Sequence, residues 1–258
     1  MIADFHNDIL TSKDFTFVPS EYYKNNKVVT AIFNDGRSFS DALSLCDKSP
    51  LIAFEDIGYD DFNEEKMIDR KPIYVGLTWN YENRFAFGCK TDGKLKPEGH
   101  KIIKLLNARK IAVDTAHICR RSFEGIVDFA DLVINSHTCF SRVYPHARNI
   151  EDWQIKAIIE KNGLIGLTCC GYFLTGDKVC EISDLIKQID YFCSKFDYKK
   201  LCFGTDFFGT DFLPEGLYDY DSFERVFYEL ENLGYTRSQI NAIWYENLNN
   251  FLEIYYGR

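Results

Sequence analysis

The chain has 258 residues and a formal net charge of −9, with 46% hydrophobic and 27% charged residues. This length can bury a core large enough for one α/β barrel or for two small domains. The negative charge argues against nucleic acid or an anionic membrane as the partner, because both bind basic surfaces. No apolar run is as long as a membrane span, so no membrane segment is predicted.

The start of the chain and its cysteines predict a cytoplasmic protein. A strand is predicted directly at Ile2, which leaves no room for the charged and apolar regions of a signal peptide. The nine cysteines form no C-x-x-C pair, and several lie within apolar runs. In a chain without an export signal, such cysteines indicate reduced thiols rather than disulfides or a zinc ribbon.

Eight short apolar runs are predicted to be β-strands, and amphipathic stretches predicted to be helices lie between and after them. The runs are rich in Val, Ile, Leu and Phe without strict alternation, which is typical of a parallel sheet buried on both faces. In chain order the predicted strands are 2–5, 28–33, 51–55, 73–79, 111–117, 132–137, 164–169 and 201–206. The predicted helices are 40–47, 62–69, 97–108, 120–130, 151–162, 182–196, 221–233 and 236–256. This alternation predicts a single-domain (β/α)₈ TIM barrel over residues 1–258, with its active site at the carboxyl ends of the strands.

Residues of the types that bind metals stand at the ends of the predicted strands. Three of the five histidines and three carboxylates occupy such positions, and in chain order they are His6, Asp8, Glu55, His117, His137 and Asp206. Because the strand ends of a barrel meet on one face, these six side chains are expected to share a pocket. Imidazole and carboxylate ligands suit zinc or a similar divalent ion, and a carboxylate can bridge two such ions. The pattern therefore predicts a metal site.

The motifs around these residues resemble the membrane (renal) dipeptidase family, a group of binuclear zinc peptidases in the amidohydrolase superfamily. The resemblance covers nearly the whole chain, and six modest motifs in the family's order make it specific. It rests on DFHND (4–8), IAFE (52–55), GLTWN (76–80), KIAVDTAH (110–117), INSHTCFSRVYPHARN (134–149) and FGTDFFG (203–209) with the following LPEGLYD (213–219).

The resemblance implies a barrel of the metal-dependent hydrolase type that cleaves the amide bond of dipeptides or similar small carboxylated substrates. A hydroxide would lie between two divalent ions, and zinc is the expected metal. His6 and Asp8 would bind the first ion, and Glu55 would bridge the two ions. His117 and His137 would bind the second ion.

The resemblance also implies residues that handle protons and substrate. Asp206 would take a proton from the bridging water and pass it to the leaving amine. Arg148, eleven residues after His137, would pair with the terminal carboxylate of the substrate. Trp79 stands where classical family members have a histidine that is thought to contact the substrate carbonyl. Because tryptophan has one N–H donor and no ionisable nitrogen, that contact is expected to be weakened or rebuilt.

Two alternatives to a dipeptidase stay open. One is an amidohydrolase or lactonase that acts on another small carboxylated molecule, which Trp79 favours. The other is a homologue that binds metal or a ligand with little turnover. A DNase of the same barrel type is disfavoured by the H-x-D opening and the negative charge. The expected partner is thus a dipeptide or other small molecule, and a homodimer is implied only by the resemblance.

Overall fold

The computed structural model describes residues 2–12 and 26–257, and a closed barrel of eight parallel strands forms its centre. Each strand pairs with the next along the chain, and the pairing of Asp4 with Phe203 joins the last strand to the first. The strands are β1 Ala3–Asn7, β2 Lys27–Phe33, β3 Ile52–Glu55, β4 Tyr74–Gly76, β5 Ala112–Asp114, β6 Val133–Thr138, β7 Ile165–Leu167 and β8 Leu201–Phe203. The predicted (β/α)₈ TIM barrel is confirmed.

Helices follow the strands and surround the barrel. They are α1 Phe39–Leu45, α2 Glu64–Asp69, α3 Pro97–Ala108, α4 Arg120–Phe129, α5 Asp152–Glu160, α6 Gly171–Leu174, α7 Ile182–Lys195, α8 Glu224–Asn232, α9 Arg237–Asn241 and α10 Asn247–Tyr256. Short 3₁₀ segments lie at Cys46–Lys48, Tyr198–Lys200 and Asp221–Phe223. The single helix predicted over 236–256 is wrong in detail, because a π-helical segment at Ala242–Glu246 separates α9 from α10. Helix α6 was not predicted from the sequence.

The last helix covers the amino-terminal end of the barrel. Leu248, Phe251 and Leu252 of α10 cluster with Leu51 and Ile73, the residues that directly precede β3 and β4. In the same cluster, the rings of Phe5 in β1 and Phe251 make a T-shaped contact, with centroids 5.5 Å apart. With that end filled by side chains, the opposite end of the barrel is left for a polar site.

Three strands end three residues earlier than the sequence predicts, and the difference concerns the site. Strands β4, β5 and β8 end at Gly76, Asp114 and Phe203, whereas the predicted strands run on to residues 79, 117 and 206. The residues at those three positions therefore lie in loops just beyond the barrel. A loop can turn a side chain back over the strand ends, which a straight strand cannot do.

Register irregularities occur in β1 and β6 where two of the histidines stand. The pairing of β1 with β2 shifts between Asp4 and Asn7, and the pairing of β6 with β7 shifts between Asn135 and Thr138. Strict alternation would put adjacent side chains on opposite faces of the sheet. Such irregularities bend a strand and change the direction of a side chain. They give His6 and His137 room to face each other, with ring centroids 3.8 Å apart.

Candidate metal centre

The six residues predicted for the metal site lie together at the carboxyl end of the barrel. All six are buried, with exposed fractions that range from 0% for His6 to 9% for Asp206. Three groups have potential ligand atoms within 4.8 Å of one another, and they are His6 with Asp8 and Glu55, Glu55 with His117 and His137, and His6 with His137 and Asp206. Glu55 belongs to the first two groups.

The carboxylate of Glu55 lies between histidines that come from different strands. Its Oε2 atom is 3.4 Å from Nε2 of His6, and its Oε1 atom is 2.9 Å from Nε2 of His117 and 3.9 Å from Nε2 of His137. The Oδ2 atom of Asp8 is 3.2 Å from the same Nε2 atom of His6. A carboxylate shared between two groups of ligands is suited to bridging two cations.

Hydrogen bonds to the outer ring nitrogens fix the orientation of the histidines. The Tyr74 hydroxyl donates to the carbonyl oxygen of Phe5 at 3.0 Å, so it accepts from Nδ1 of His6 at 2.8 Å. The side-chain oxygen of Asn80 can only accept, and it lies 2.9 Å from Nδ1 of His117. Both rings therefore carry a hydrogen on Nδ1 and turn Nε2 toward Glu55.

The third histidine is held in the same way through a serine and an aspartate. The Ser136 hydroxyl donates to Oδ2 of Asp114 at 2.6 Å and accepts from Nδ1 of His137 at 2.8 Å. Asp114 also accepts from the backbone N–H groups of Ser136 and Ala116, at 2.8 and 3.1 Å. A hydrogen-bonded Nδ1–H fixes the tautomer and leaves Nε2 as the atom that can bind a metal.

Burial and neighbouring charge set the protonation of two of these histidines. Burial and, to a smaller extent, the nearby Arg148 guanidinium lower the pKa of His117 to about 3. Burial also lowers the pKa of His137, with His6 and Arg148 acting in the same direction. At neutral pH both imidazoles are therefore uncharged, which is the form that binds a metal ion.

The carboxylates favour positive charge at the centre. Burial raises the pKa of Asp206, and the neighbouring Asp8 carboxylate raises it further. Burial lowers the pKa of His6, but Tyr74, Asp8 and Glu55 outweigh this effect and the pKa lies well above its ordinary value. A proton on Nε2 of His6 thus takes a position that a metal ion would occupy, and metal binding would release it.

Two features show that a cation fits the centre of the cluster. The Nε2 atoms of His117 and His137 are 2.9 Å apart, although the hydrogens of both neutral rings lie on Nδ1. Two lone pairs therefore face each other. In addition, Oδ1 of Asp8 is buried without a hydrogen-bond partner in the described part of the chain. A divalent ion would give all of these atoms a positive partner, so the donor set fits a metal.

The backbone around the site is strained at two of its residues. His117 has a φ of 66° and Asp206 a φ of 63°, in the left-handed region that residues other than glycine rarely adopt. Gly209 lies close to the cluster, since a Cβ built on it would be 2.3 Å from Oδ2 of Asp8 and 2.4 Å from Oδ1 of Asp206. Glycine at this position leaves the space beside the two carboxylates open.

Arg148 and Trp79, the two residues predicted to bind substrate, lie beside the cluster. Arg148 is 5% exposed, and its Nη2 atom donates to the carbonyl oxygen of His137 at 3.0 Å. Trp79 is half-buried in the loop after β4, with its ring centroid 5.8 Å from that of His117 and 5.2 Å from that of Phe33. The tryptophan therefore lies next to a predicted metal ligand.

The sequence reasoning did not single out the residues that hold the histidines in place. These residues are Tyr74, Asn80, Asp114 and Ser136, and all four are buried. A signal was present, because each is a polar residue in or directly after an apolar run. Buried polar groups need hydrogen-bond partners, and a neighbouring strand end with a histidine supplies one.

The comparisons with known proteins agree with the fold. A family model described as membrane dipeptidase, peptidase family M19, matches residues 67–254. The chain belongs to the membrane dipeptidase family. The matched range begins after β3, so His6, Asp8 and Glu55 lie outside it. Their positions beside the other three residues of the cluster come from the structure.

Individual relatives are distant in sequence and similar in fold. An uncharacterized Klebsiella pneumoniae protein encoded in the pqqA 5′ region is 26% identical over 186 residues, which are 67% of this chain and 68% of that protein. The structure of a metallo peptidase called dipeptidase AC, of family M19, has a TM-score of 0.86 at 17% identity and covers 100% of this chain and 99% of that one. A Rhodobacter sphaeroides metallo peptidase, liganded with a phosphinate mimic of L-Ala-D-Ala, has a TM-score of 0.82 at 16% identity with 99% of both chains covered.

Among the described residues, no helix has the length and apolar character needed to cross a membrane.

Replacing Ser136 with alanine is expected to weaken metal binding. The change Ser136→Ala removes the acceptor for Nδ1 of His137, and loss of such an outer contact lowers metal affinity by about 10–100-fold. Competition with a chelator of known zinc affinity measures the change. Ser44→Ala, at an exposed position on α1, is the matched control. Equal zinc affinities for the two variants would show that Ser136 does not orient His137.

Proposed function

We propose that this protein is a dipeptidase that uses two divalent metal ions, with zinc as the expected metal. The observation that carries the proposal is the shared carboxylate of Glu55, which lies within 4.8 Å of ligand atoms in two separate groups. Membership of the membrane dipeptidase family supports the same activity. Mixed imidazole and carboxylate ligands at a buried site are typical of catalytic zinc.

The ligand roles follow from the two groups. His6 and Asp8, together with Glu55, would hold one ion, and His117 and His137, again with Glu55, would hold the other. Divalent ions held there would activate water and polarise the scissile carbonyl group. The hydrogen bonds on Nδ1 keep the imidazoles oriented before any metal binds, which lowers the cost of assembling the site.

Asp206 is proposed to move the proton. Its carboxylate belongs to the group with His6 and His137, so it lies within reach of a water or leaving amine at the centre. We propose that it accepts a proton from the attacking water and returns that proton to the leaving nitrogen. Its burial excludes bulk water, which would otherwise compete for the same proton.

Arg148 is proposed to bind the terminal carboxylate of the dipeptide. Its Nε atom is buried and has no hydrogen-bond partner among residues 2–12 and 26–257. A buried N–H without a partner is costly, and a substrate carboxylate would satisfy it. The guanidinium group also lies over the ring of Phe173, at 5.0 Å from its centroid, which helps to fix its plane.

The position of Trp79 favours a second candidate function, that of an amidohydrolase or lactonase. Phe33 and Trp79 form an aromatic wall beside His117. Trp79 occupies the position at which classical family members have a histidine. The indole N–H can donate one hydrogen bond but cannot exchange a proton. This wall favours small substrates, and it also suits an amidohydrolase or lactonase whose substrate is not a peptide. A panel of dipeptides, other amides and lactones, tested with added zinc, separates these functions.

The purified protein is expected to carry about two divalent ions per chain, because the ligands exceed what one tetrahedral ion needs. Elemental analysis of protein prepared without chelator measures the metal content. His137→Ala should lose metal, whereas His100→Ala should not, because His100 packs against Phe129 outside the site. A wild-type protein that stays free of metal after reconstitution with zinc would refute the binuclear centre.

Asp206→Asn is expected to keep the metals and lose about 10²–10⁴-fold in kcat, the usual contribution of a general acid–base group. Asparagine has nearly the same shape as aspartate but cannot accept the proton. Metal content and steady-state kinetics on the best substrate of the panel are measured together. Asp211→Asn, at an exposed position five residues later, is the control. Near wild-type turnover in Asp206→Asn would leave Asp206 with a structural role only.

Trp79→His is expected to increase kcat/KM on ordinary dipeptides. The smaller ring widens the pocket and can donate to the developing oxyanion, a contact worth about 10²–10³-fold in other enzymes. Trp79→Phe, which removes the N–H and keeps an aromatic ring, should give no gain. The prediction fails if Trp79→His is folded and fully metallated but no faster than the wild type.

A further inference from the structure

A cavity of about 780 Å³ lies beside His117. Its lining includes the buried residues His117 and Arg148, the loop after β6 and the start of α5. This volume is within the range of pockets that bind small molecules. The aromatic pair of Phe33 and Trp79 is not part of its lining.

Several polar atoms along this cavity have no partner. The Nε atom of Arg148, Oδ1 of Asn149 and Nε1 of Trp153 are all buried without a hydrogen bond to any residue that the structure describes. All three residues line the cavity. Buried polar groups in proteins are nearly always paired. Three unpaired groups in residues that line one cavity therefore favour a polar ligand there.

The acidic groups of the cavity are already engaged. Glu151 pairs with Arg120, whose Nη1 atom lies 3.4 Å from Oε1 of Glu151 and whose guanidinium group covers the ring of Trp153. Asp152 accepts a hydrogen bond of 2.5 Å from the Tyr191 hydroxyl and lies 3.7 Å from Nζ of Lys195. Both carboxylates are therefore paired with a cationic side chain, and Glu151 shares Arg120 with Glu124.

Two cationic side chains in the cavity wall have no ion-pair partner among the described residues. Arg142, in the loop after β6, and Lys156, on α5, both line the cavity, and no described carboxylate lies within 4.0 Å of their charged nitrogens. The chain has 39 acidic and 30 basic residues and is therefore negatively charged overall, whereas the unpaired side chains beside this cavity are positively charged. Together with Arg148 they make this side of the entrance attractive to a ligand with two negative groups.

We propose that this cavity binds an acidic side chain on the carboxy-terminal residue of the substrate. The inference rests on the proposed dipeptidase function, in which Arg148 binds the terminal carboxylate. A second carboxylate on the same residue then projects along the cavity toward Arg142 and Lys156. The preferred substrates are dipeptides that end in glutamate or aspartate, in the L or the D form.

The first experiment compares hydrolysis of Ala-Glu with that of Ala-Gln by zinc-loaded enzyme, using both stereoisomers of the second residue. The two side chains have nearly the same shape and differ in charge. The wild type is expected to favour Ala-Glu about tenfold in kcat/KM, the effect of one ionic hydrogen bond. In Arg142→Gln/Lys156→Gln the ratio should fall to about one. Arg109→Gln/Lys104→Gln, with the same residue types at exposed positions on and just after α3, should keep the wild-type ratio.

The second experiment measures binding without turnover, by titrating the zinc-loaded protein with free glutamate and free glutamine in a calorimeter. Glutamate should bind about tenfold more tightly, and the double variant should lose this difference. High salt should reduce the preference, because the two cations are exposed to solvent.

The two experiments separate this inference from the proposed function. If no dipeptide is hydrolysed but glutamate binds in preference to glutamine through Arg142 and Lys156, the dipeptidase function is wrong and the acidic-group site stands. If dipeptides are hydrolysed with no preference for Ala-Glu, or with a preference that the double variant retains, the acidic-group site is overturned. Equal binding of glutamate and glutamine overturns it as well.

Discussion

The two oxygens of Glu55 face histidines that lie far apart in the chain, and the rest of the rim is arranged around this contact. Strand β3 can present the carboxylate to both His6 and His117 only because the sheet closes and brings β1, β3, β5 and β6 around one axis. The apolar packing of α10 at the other end of the barrel leaves the carboxyl end for polar groups. A buried cluster of three carboxylates and three imidazoles is unfavourable by itself, because it brings like charges together and leaves the lone pairs of His117 and His137 facing each other. The fold therefore concentrates at one end a set of groups that a cation would stabilise.

The residues near His117 form one apolar and one cationic group, and this difference favours one orientation of a bound substrate. Phe33 and Trp79 form an apolar wall beside His117, and neither residue lines the cavity that contains Arg142 and Lys156. Arg148 is a buried residue of the cavity lining. A small amide with an apolar end and a carboxylated end can enter such a site productively in one orientation. The arrangement thus supports both the reaction class and the polarity of the substrate.

The sequence predicted the barrel well because its strands lie in short runs rich in apolar residues. Even the second strand, predicted at 28–33, is observed as Lys27–Phe33. The convergence of the six site residues was also predictable, since strand ends of a barrel share one face. Local backbone geometry was not predictable in the same way. The position of Trp79 depends on where β4 ends, and the apolar run in the sequence continues past that point to Trp79. The π-helical segment before α10 likewise has no marker in a regular helical pattern.

The outer contacts of the histidines were beyond sequence reasoning for a different reason. Tyr74 reaches His6 across 68 residues of sequence, and Asn80 reaches His117 across 37. Such pairs form because closure of the barrel brings strands together, and no local pattern encodes the partner. A single sequence shows that a buried hydroxyl or amide needs a partner, but the assembled fold decides which one it finds.

The left-handed conformations at the rim have a consequence for the mobility of the two loops that carry them. His117, Asp206 and Phe208 all have positive φ angles, and each such residue costs about 1–2 kcal/mol relative to ordinary backbone. Glycine would relieve this cost at His117 or Asp206 only by deleting the imidazole or the carboxylate, so the strain accompanies the chemistry of the site. The loops after β5 and β8 therefore have a smaller free energy of local opening than the strands that they follow. In amide hydrogen exchange, these two loops would exchange faster than the barrel strands. A ligand that binds His117 and Asp206 would slow the exchange of both loops.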